Sequence, residues 1–271
     1  QSEFEYDDQD DWPGQCQEGH QQSPIDISDA EEICDHDLIF DLQIIPGLSN
    51  LTVVDGGDYF VANYEDSFLY ASDINGVFSG YQSVNFHFHS PSEHRVNGKT
   101  FDLELHLLHL ITEEYWAKGQ TKKIFAAFAV FFEVDEHAAP NPFISALRLN
   151  KLGSKLEGFD MNALLYSQLP SPISYFTYQG SITTPPCSEV VNWYVLTTPL
   201  KITKDQLKVF TKRFAGNETF ADGKGNNREL QDLNHRVIKI GGVDCEAGNA
   251  LYFVSFVALF VVANYVVAKL L

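Results

Sequence analysis

The sequence of 271 residues has few basic residues: 18 lysines and arginines stand against 37 aspartates and glutamates, which gives a net charge of −19. A surface of this sign repels nucleic acid and anionic membranes, so we expect no nucleic-acid partner. The acidity is typical of a well-solvated surface, and adaptation to a salt-rich medium is a second interpretation.

The chain also lacks internal repeats and a long linker rich in proline, glycine or serine. Hydrophobic residues make up 44% of the sequence, which is enough for one sizeable core. We therefore predict one large domain over residues 1–243 and a separate C-terminal segment over residues 244–271.

Cysteine is scarce but even in number, with four residues that allow three pairings, and this is typical of a protein from an oxidising compartment. The chain starts at Gln1 without the charged and apolar regions of a signal peptide, which indicates that such a peptide has been removed. Glycosylation motifs begin at Asn50 and Asn217. Together these features predict an extracellular glycoprotein.

The C-terminal segment contains one long apolar stretch, residues 250–268. About 20 apolar residues span a bilayer as a helix, so a membrane anchor is the first interpretation. A cleaved GPI-type signal is an alternative, because the small residues Gly241 and Gly242 precede a short polar spacer. A buried core helix is the third interpretation. The first two tether the protein at a membrane.

The most informative stretch is residues 83–109, where two runs alternate polar and apolar residues. In a β-strand, His87 and His89 point to one face, and the phenylalanines beside them point to the other. Glu104 and His106 share a face of the second run in the same way. Polar side chains in strands this apolar are costly to bury unless a group pairs with them. We therefore predict a metal site built by two neighbouring strands.

Three neutral imidazoles with an open fourth position form the ligand set of a catalytic zinc, and the candidates are His87, His89 and His106. Asn85 and Glu104 each lie two residues from a ligand on the same face, so they are placed to accept a second ring N–H from the histidines. An alternative is a cupin-type metalloenzyme, in which Glu93 would be a fourth ligand. The later histidine-containing segment of that fold is absent.

Five motifs in this chain resemble those of the α-class carbonic anhydrases: FHFH at 86–89, SEH at 92–94, ELHLLH at 104–109, QSPIDI at 22–27 and SITTPPCSEVVNW at 181–193. The resemblance covers roughly residues 4–236. It implies a single, mainly β domain on a large, twisted, mostly antiparallel sheet with peripheral helices. It also implies a Zn²⁺-dependent enzyme that converts CO₂ reversibly to bicarbonate and a proton through a zinc-bound hydroxide.

The resemblance assigns roles to individual residues. Thr183 would accept the proton of the zinc-bound hydroxide, Glu93 would accept the hydrogen of the Thr183 hydroxyl, and Tyr6 would join the hydrogen bonds of the cavity. His94 would be a buried structural histidine. The residues implied to contact CO₂ are Leu108, Ala127, Ile182, Val191 and Trp193, with Thr184 on the polar side.

Asp58 occupies the position at which family members with fast turnover carry a proton-relaying histidine. An unperturbed carboxyl has a pKa near 4, which is too low for efficient proton relay at pH 7. We therefore predict slow proton release. The proton would leave through Asp58, a surface histidine such as His20 or His36, or the buffer.

Extracellular members of the family often join a cysteine before QSPI to one just after TTPP. The resemblance therefore pairs Cys16 with Cys187 and leaves Cys34 for Cys245, and it implies an extracellular, membrane-anchored type. The closing segment, residues 226–236, resembles that of the family, and we assign it no function.

A function of another class is a non-catalytic adhesion or receptor module with the same fold. Such modules typically lose one or more zinc histidines. This chain keeps all three, together with Thr183 and Glu93, which favours the enzyme. Outside the motifs, the apolar pattern predicts helices over residues 142–156 and 203–214.

Overall fold

The computed structural model describes residues 4–28, 38–44, 49–119, 122–216, 220 and 224–242. Its strands in chain order are β1 (Asp26–Ile27), β2 (Phe40–Ile44), β3 (Ser49–Thr52), β4 (Val54–Asp55), β5 (Phe60–Asn63), β6 (Ser67–Ser72), β7 (Phe78–His89), β8 (Arg95–Val96), β9 (Lys99–Thr100), β10 (Leu103–Ile111), β11 (Phe125–Val134), β12 (Lys155–Phe159), β13 (Tyr175–Gly180), β14 (Val191–Leu196), β15 (Leu200–Ile202) and β16 (Lys239–Gly241). Its α-helices are α1 (Gln15–Glu18), α2 (Glu113–Ala117), α3 (Pro142–Ala146), α4 (Met161–Leu164) and α5 (Lys204–Arg213), and 3₁₀ turns cover Gln9–Asp11, Leu149–Lys151 and Tyr166–Gln168. No helix in this part of the chain has the length and apolar character that a bilayer crossing requires.

Eleven of the strands form one sheet in the order β16, β13, β14, β11, β10, β7, β5, β4, with β15 beside β11, and β6 and then β2 extending from β7. β11 is parallel to β14 and β15, and the other pairs in this sheet are antiparallel. The predicted mainly β architecture, with a large and mostly antiparallel central sheet, is confirmed.

Strands β7 and β10 lie in the middle of the sheet, and their two faces differ as the alternation predicts. Phe86 and Phe88 of β7 and Leu105 and Leu107 of β10 are 0% exposed and belong to one apolar cluster. Burial of each such side chain stabilises the fold by about 1.5–3 kcal/mol. A one-residue slip of either strand would expose this face and bury the polar one, so the apolar residues fix the register that positions the histidines.

The helix predicted over residues 142–156 is wrong in its length. α3 ends at Ala146, and β12 then pairs with β3 in a small separate sheet. The backbone φ angles of Arg148 and Gly153 are 49° and 79°, in the left-handed region that does not continue an α-helix.

The helix predicted over residues 203–214 is present as α5. Thr203 and Gln206 form a capping box, in which the Thr203 side chain accepts from the backbone N–H of Gln206. Phe210 of this helix is 0% exposed, and its ring lies 5.1 Å from that of Phe88. α5 therefore covers the face of the sheet opposite the histidines.

Candidate metal centre

Three histidine side chains converge at the middle of the central sheet. His87 and His89 come from β7, and His106 comes from β10, where it lies opposite His87 in the antiparallel register. One possible ligand atom from each ring lies within 4.8 Å of the other two. His89 and His106 are buried, whereas His87 is half-buried. The structure therefore brings the predicted ligand set together.

Each of these histidines uses one ring nitrogen in a hydrogen bond to a protein oxygen. The contacts are Nδ1 of His87 with Oδ1 of Asn85 at 3.1 Å, Nε2 of His106 with Oε1 of Glu104 at 2.7 Å, and Nδ1 of His89 with the carbonyl oxygen of Asn226 at 2.8 Å. Because the oxygens accept, these nitrogens carry the hydrogen. The lone pairs that face the centre are then on Nε2 of His87 and His89 and on Nδ1 of His106.

The chemistry of these nitrogens fits a divalent metal. Nε2 of His89 is buried and has no hydrogen-bond partner among the described residues, an arrangement that costs about 1–3 kcal/mol unless a ligand satisfies it. Burial is the main cause that lowers the pKa of His87 and His89, and neighbouring histidines lower both further. The imidazoles of His87 and His89 are therefore neutral, which is the state that binds metal.

Glu104 is completely buried and holds two histidines at once. Oε1 lies 2.7 Å from both Nε2 of His106 and Nδ1 of His94, while Oε2 accepts the backbone N–H groups of Glu93 and His94. Burial alone would raise the pKa of Glu104, but the electrostatic interactions and hydrogen bonds of its carboxylate with His94 and His106 outweigh it, so this pKa lies well below its usual value. His94 also contacts the Tyr178 hydroxyl at 2.6 Å. His94 is thus a structural member of the network.

Glu93 lies beside the histidines but does not belong to their ligand group. Its Oε1 accepts the backbone N–H of Arg228 at 2.8 Å, and its buried Oε2 has no hydrogen-bond partner among the described residues. The hydrogen bond expected from Thr183 to Glu93 is therefore not present in this structure. The cupin alternative needs Glu93 as a metal ligand, and the geometry does not support it.

Thr183 is buried, 4% exposed, in the loop between β13 and β14. Cys187 of the same loop forms a disulfide with Cys16, across a sequence separation of 171, which is the pairing that the resemblance implied. The Gln22 side chain also donates to the carbonyl oxygen of Cys187 at 3.1 Å. The N-terminal part of the chain therefore fixes the loop that carries Thr183.

The residues that the resemblance assigns to CO₂ contact lie together. One apolar cluster contains Leu108, Ala127, Ile182, Val191 and Trp193. In the sheet register, Ala127 has Leu108 on one side and Trp193 on the other. The Trp193 ring lies 4.8 Å from that of His106, so the cluster reaches the histidines. Thr184 is half-buried and lies next to Thr183 in the loop.

Tyr6 and Asp58 are placed differently from each other. Tyr6 is buried and packs against Trp12 with ring centroids 5.6 Å apart. Its hydroxyl makes no hydrogen bond within the described part of the chain, so the expected bond from Tyr6 into the cavity is not present. Burial is the main cause that raises its pKa well above the usual value. Asp58 is half-buried on the turn between β4 and β5, where its carbonyl oxygen accepts from Asn226 at 2.7 Å.

The role of the closing segment, residues 226–236, was not predicted from the sequence. Besides its contact with His89, Asn226 accepts from the backbone N–H of Ser90 and donates to the carbonyl oxygen of Phe88. The Arg228 guanidinium donates to Oε1 of Gln22 and to the carbonyl oxygens of Ser23 and Cys16. All these partners are more than 130 residues away in sequence, so no local sequence pattern predicts these contacts. The resemblance of the segment to the family was the available signal.

A cavity of about 560 Å³ lies beside Glu93, but the three histidines do not line it. Its lining mixes acidic and basic side chains, such as Asp7, Arg95, Lys224 and Glu229. An apolar substrate fits the wall beside the histidines better than this polar cavity.

Several predicted residues lie outside the described part of the chain: Cys34, His36, Asn217, Cys245 and the whole of residues 244–271. The second disulfide, the second glycosylation motif and the anchor therefore stay predictions. Asn50 is exposed on β3, and His20 is exposed near the N-terminus.

Comparison with known proteins agrees with this geometry. Residues 7–241 match the model of the eukaryotic-type carbonic anhydrase family. Human carbonic anhydrase 7 is 32% identical over 236 residues, covering 82% of this chain and 89% of the human protein. The structure of Cah3 from Chlamydomonas reinhardtii with acetazolamide is similar at a TM-score of 0.68 and 26% identity, over 89% of this chain and 98% of Cah3. The α-carbonic anhydrase from Thermovibrio ammonificans with sulfanilamide is similar at a TM-score of 0.63 and 29% identity, over 83% of this chain and 89% of that protein.

Proposed function

Because the chain belongs to the eukaryotic-type carbonic anhydrase family, whose enzymes hydrate CO₂ reversibly to bicarbonate, we propose that it performs this reaction on a zinc ion held by His87, His89 and His106. The observation that carries the proposal is the set of three inward-facing ring nitrogens, each fixed by a hydrogen bond on the other side of its ring. When bound, zinc supplies an acidified water with a pKa of about 7, the value known for carbonic anhydrases themselves.

The histidines are held in one tautomer before any metal arrives. Asn85, Glu104 and the Asn226 carbonyl each accept a ring N–H, so no proton has to move within a ring before a metal binds. Because the Glu104 carboxylate is ionised, it also raises the basicity of the ring nitrogen that His106 turns to the centre.

We assign the orientation of the attacking oxygen to Thr183, whose hydroxyl would accept a hydrogen bond from it. Glu93 would then accept the hydrogen of Thr183, because a carboxylate can only accept and so fixes the direction of the Thr183 hydroxyl. Support comes from the buried Oε2 of Glu93, which no described residue satisfies, and from the burial of Thr183 in a fastened loop. The two groups would come together in the substrate complex.

The apolar side of the site would hold CO₂ beside the nucleophile. Leu108, Ala127 and Trp193 form a continuous wall across three strands that reaches His106. An uncharged substrate needs such a surface because water competes for polar ones, whereas charged bicarbonate leaves it more readily.

Zinc analysis and a CO₂ hydration assay of the wild type and of His106→Ala test the proposal. The wild type should bind one zinc per chain and hydrate CO₂, and the variant should lose both, because two histidines and water do not complete a stable catalytic site. His109→Ala is the matched control, since His109 lies on the same strand but outside the ligand group.

Full zinc occupancy in His106→Ala would rule out the three-histidine site. Wild-type protein that binds zinc but does not hydrate CO₂ would favour the non-catalytic adhesion or receptor module.

For proton release we propose that buffer molecules carry most of the protons away from the site, because Asp58 stands where fast members of the family have a proton-relaying histidine. Turnover should rise steeply with the concentration of a buffer of pKa near 7, and Asp58→His should weaken that dependence. A wild-type rate that is indifferent to buffer would contradict this assignment.

We also propose that the enzyme is extracellular and attached to a membrane through residues 244–271, with CO₂ and bicarbonate as its small-molecule partners. The Cys16–Cys187 disulfide and the exposed sequon at Asn50 support an extracellular glycoprotein. Mass spectrometry of the mature protein distinguishes the forms of the C-terminus. A lipid-modified end near Gly242 would indicate a GPI anchor, an intact apolar tail would indicate a membrane helix, and a clipped end without lipid would contradict the anchor.

A further inference from the structure

Access to the three histidines is uneven. His89 and His106 are buried, whereas His87 is half-buried, so solvent reaches the site past His87. The neighbouring Asp58 and Tyr59, on the turn between β4 and β5, are half-buried as well. His87 and this turn therefore share the partly exposed side of the site.

The Tyr59 ring lies beside two of the three histidines. Its ring centroid is 5.0 Å from that of His87, with the two planes tilted by 40°, and 6.4 Å from that of His89. Two of the three candidate ligands thus have the half-buried Tyr59 ring as a neighbour. Tyr59 follows Asp58 directly, but no motif in the sequence assigns it a role.

The turn that carries Tyr59 is held at both ends. Arg213 of α5 donates from Nε and Nη2 to the two carboxylate oxygens of Asp55, at 2.8 and 2.9 Å, and also to the carbonyl oxygen of Gly57. Asn226 donates to the carbonyl oxygen of Asp58 on the other side. A two-pronged arginine–carboxylate pair fixes orientation as well as distance. The backbone of the turn that carries Tyr59 is therefore fixed by contacts with α5 and with the closing segment.

We propose that Tyr59 is a specificity-determining residue that narrows the approach to the metal site, and that Arg213 positions it through Asp55. The inference rests on the proposed zinc site. CO₂ and bicarbonate, with three heavy atoms and four, pass the ring, whereas a ligand that places an aromatic ring beside His87 must displace Tyr59. Burial and then the charge of Asp58 raise the pKa of Tyr59, so its hydroxyl is neutral at pH 7 and it acts through its bulk.

Two sulfonamides with the same metal-binding group and different bulk provide the test: trifluoromethanesulfonamide, which has no ring, and sulfanilamide, which carries one. Dissociation constants for both are measured by calorimetry on zinc-loaded wild type and variants. Tyr59→Ala should strengthen sulfanilamide binding about tenfold while leaving the ring-free compound within about twofold, because it removes a clash with the larger ligand alone. Tyr59→Phe keeps the ring and should behave like the wild type.

Arg213→Gln should shift the ratio of the two dissociation constants in the same direction as Tyr59→Ala, by a smaller factor. Lys212→Gln is the matched control, since it removes a positive charge from the same turn of α5 at an exposed position away from Asp55. If Arg213→Gln changes the ratio of the two dissociation constants and not only the thermal stability, Arg213 positions Tyr59 and is more than a structural residue.

The outcomes separate the two proposals. If neither sulfonamide binds zinc-loaded wild type, or zinc itself does not bind, the proposed function fails and this inference falls with it. If both bind and Tyr59→Ala leaves their ratio unchanged, the role of Tyr59 is overturned while the zinc site stands. If Tyr59→Ala changes the ratio but Arg213→Gln does not, the positioning role of Arg213 is overturned.

Discussion

Two parts of the chain hold the three candidate metal-binding histidines: the central strands β7 and β10, and the closing segment, residues 226–236. The two parts use different kinds of contact. On the strands, the acceptors are side chains two residues from the ligand: Asn85 for His87 and Glu104 for His106. In the closing segment the acceptor is a backbone carbonyl, that of Asn226, which lies 137 residues from His89.

The difference separates local from non-local encoding. Alternation along a strand places residues i and i+2 on one face, so a polar side chain two positions from a histidine is its neighbour by geometry. A backbone carbonyl can come from any residue type, so its role depends on the path of the chain. The strand contacts can therefore be removed by one substitution, whereas the carbonyl can only be displaced.

Glu104→Gln should have the largest effect, because four N–H groups point at this carboxylate and an amide has only one acceptor oxygen. We expect a loss of about 3–5 kcal/mol in the free energy of unfolding, as for a broken buried ionic network. Zinc affinity should fall about 10- to 100-fold, the range known for such partners of zinc histidines in carbonic anhydrase. Urea unfolding and zinc competition titrations measure the two quantities.

The matched control is Glu133→Gln, which removes partly exposed ion pairs with Lys99 and Lys201 and should cost about 1 kcal/mol. If Glu104→Gln behaves like this control, the strand contact does not hold His106.

Arg228→Leu tests the closing segment. The change leaves the carbonyl oxygens of Ser23 and Cys16 buried without their donor, which should destabilise the protein by about 3 kcal/mol. Zinc affinity should fall less than in Glu104→Gln, because the Asn226 carbonyl keeps its place on the remaining backbone contacts. Arg95→Leu, at an exposed position, is the control. A large loss of zinc affinity in Arg228→Leu without a loss of stability would contradict the expectation that this variant affects the fold more than zinc binding.

His109 extends the comparison to the face of β10 that lies away from the metal. Burial lowers the pKa of His109 to about 4. Between pH 6.5 and 4 the unfolded chain therefore binds a proton that the folded chain does not, so stability falls as the pH falls, by about 3 kcal/mol in total. Urea unfolding across this range should show a slope that is shallower in His109→Gln, in which the lowered pKa values of His87 and His89 still contribute. Equal slopes in both proteins would mean that His109 takes up its proton while folded.

Asn85→Ala and Asn226→Ala give the smallest effects but the sharpest contrast. Asn85→Ala removes the acceptor of His87 and should lower zinc affinity about tenfold, within the range known for such partners in carbonic anhydrase. Asn226→Ala keeps the carbonyl that accepts from His89, so zinc affinity should change less. It removes the side-chain bonds to Ser90, Phe88 and Asp58, which should cost about 2 kcal/mol of stability. Affinities that fall equally would show that the two kinds of contact are equivalent.

The sequence predicted the central strands, and the meeting of three histidines on them, more accurately than the periphery. His87, His89 and His106 lie in two strands whose apolar faces are fully buried, so one alternating pattern determines both the fold and the site. The helix predicted over residues 142–156 was wrong, because the left-handed backbone at Arg148 and Gly153 ends it. An apolar pattern does not report backbone angles.

By itself, the sequence determined the polar and apolar faces of β7 and β10, and with them the three histidines and two of their three hydrogen-bond acceptors. Tertiary structure alone decided that the Asn226 carbonyl is the third acceptor, that Tyr59 lies over His87, and that Arg213 holds the turn beside it. Strand alternation is a property of neighbouring residues and can be read locally. Contacts between separate segments, 28 residues apart for Tyr59 and His87 and more than 130 apart for the contacts of Asn226 and Arg213, exist only after the whole sheet has folded and brought them together.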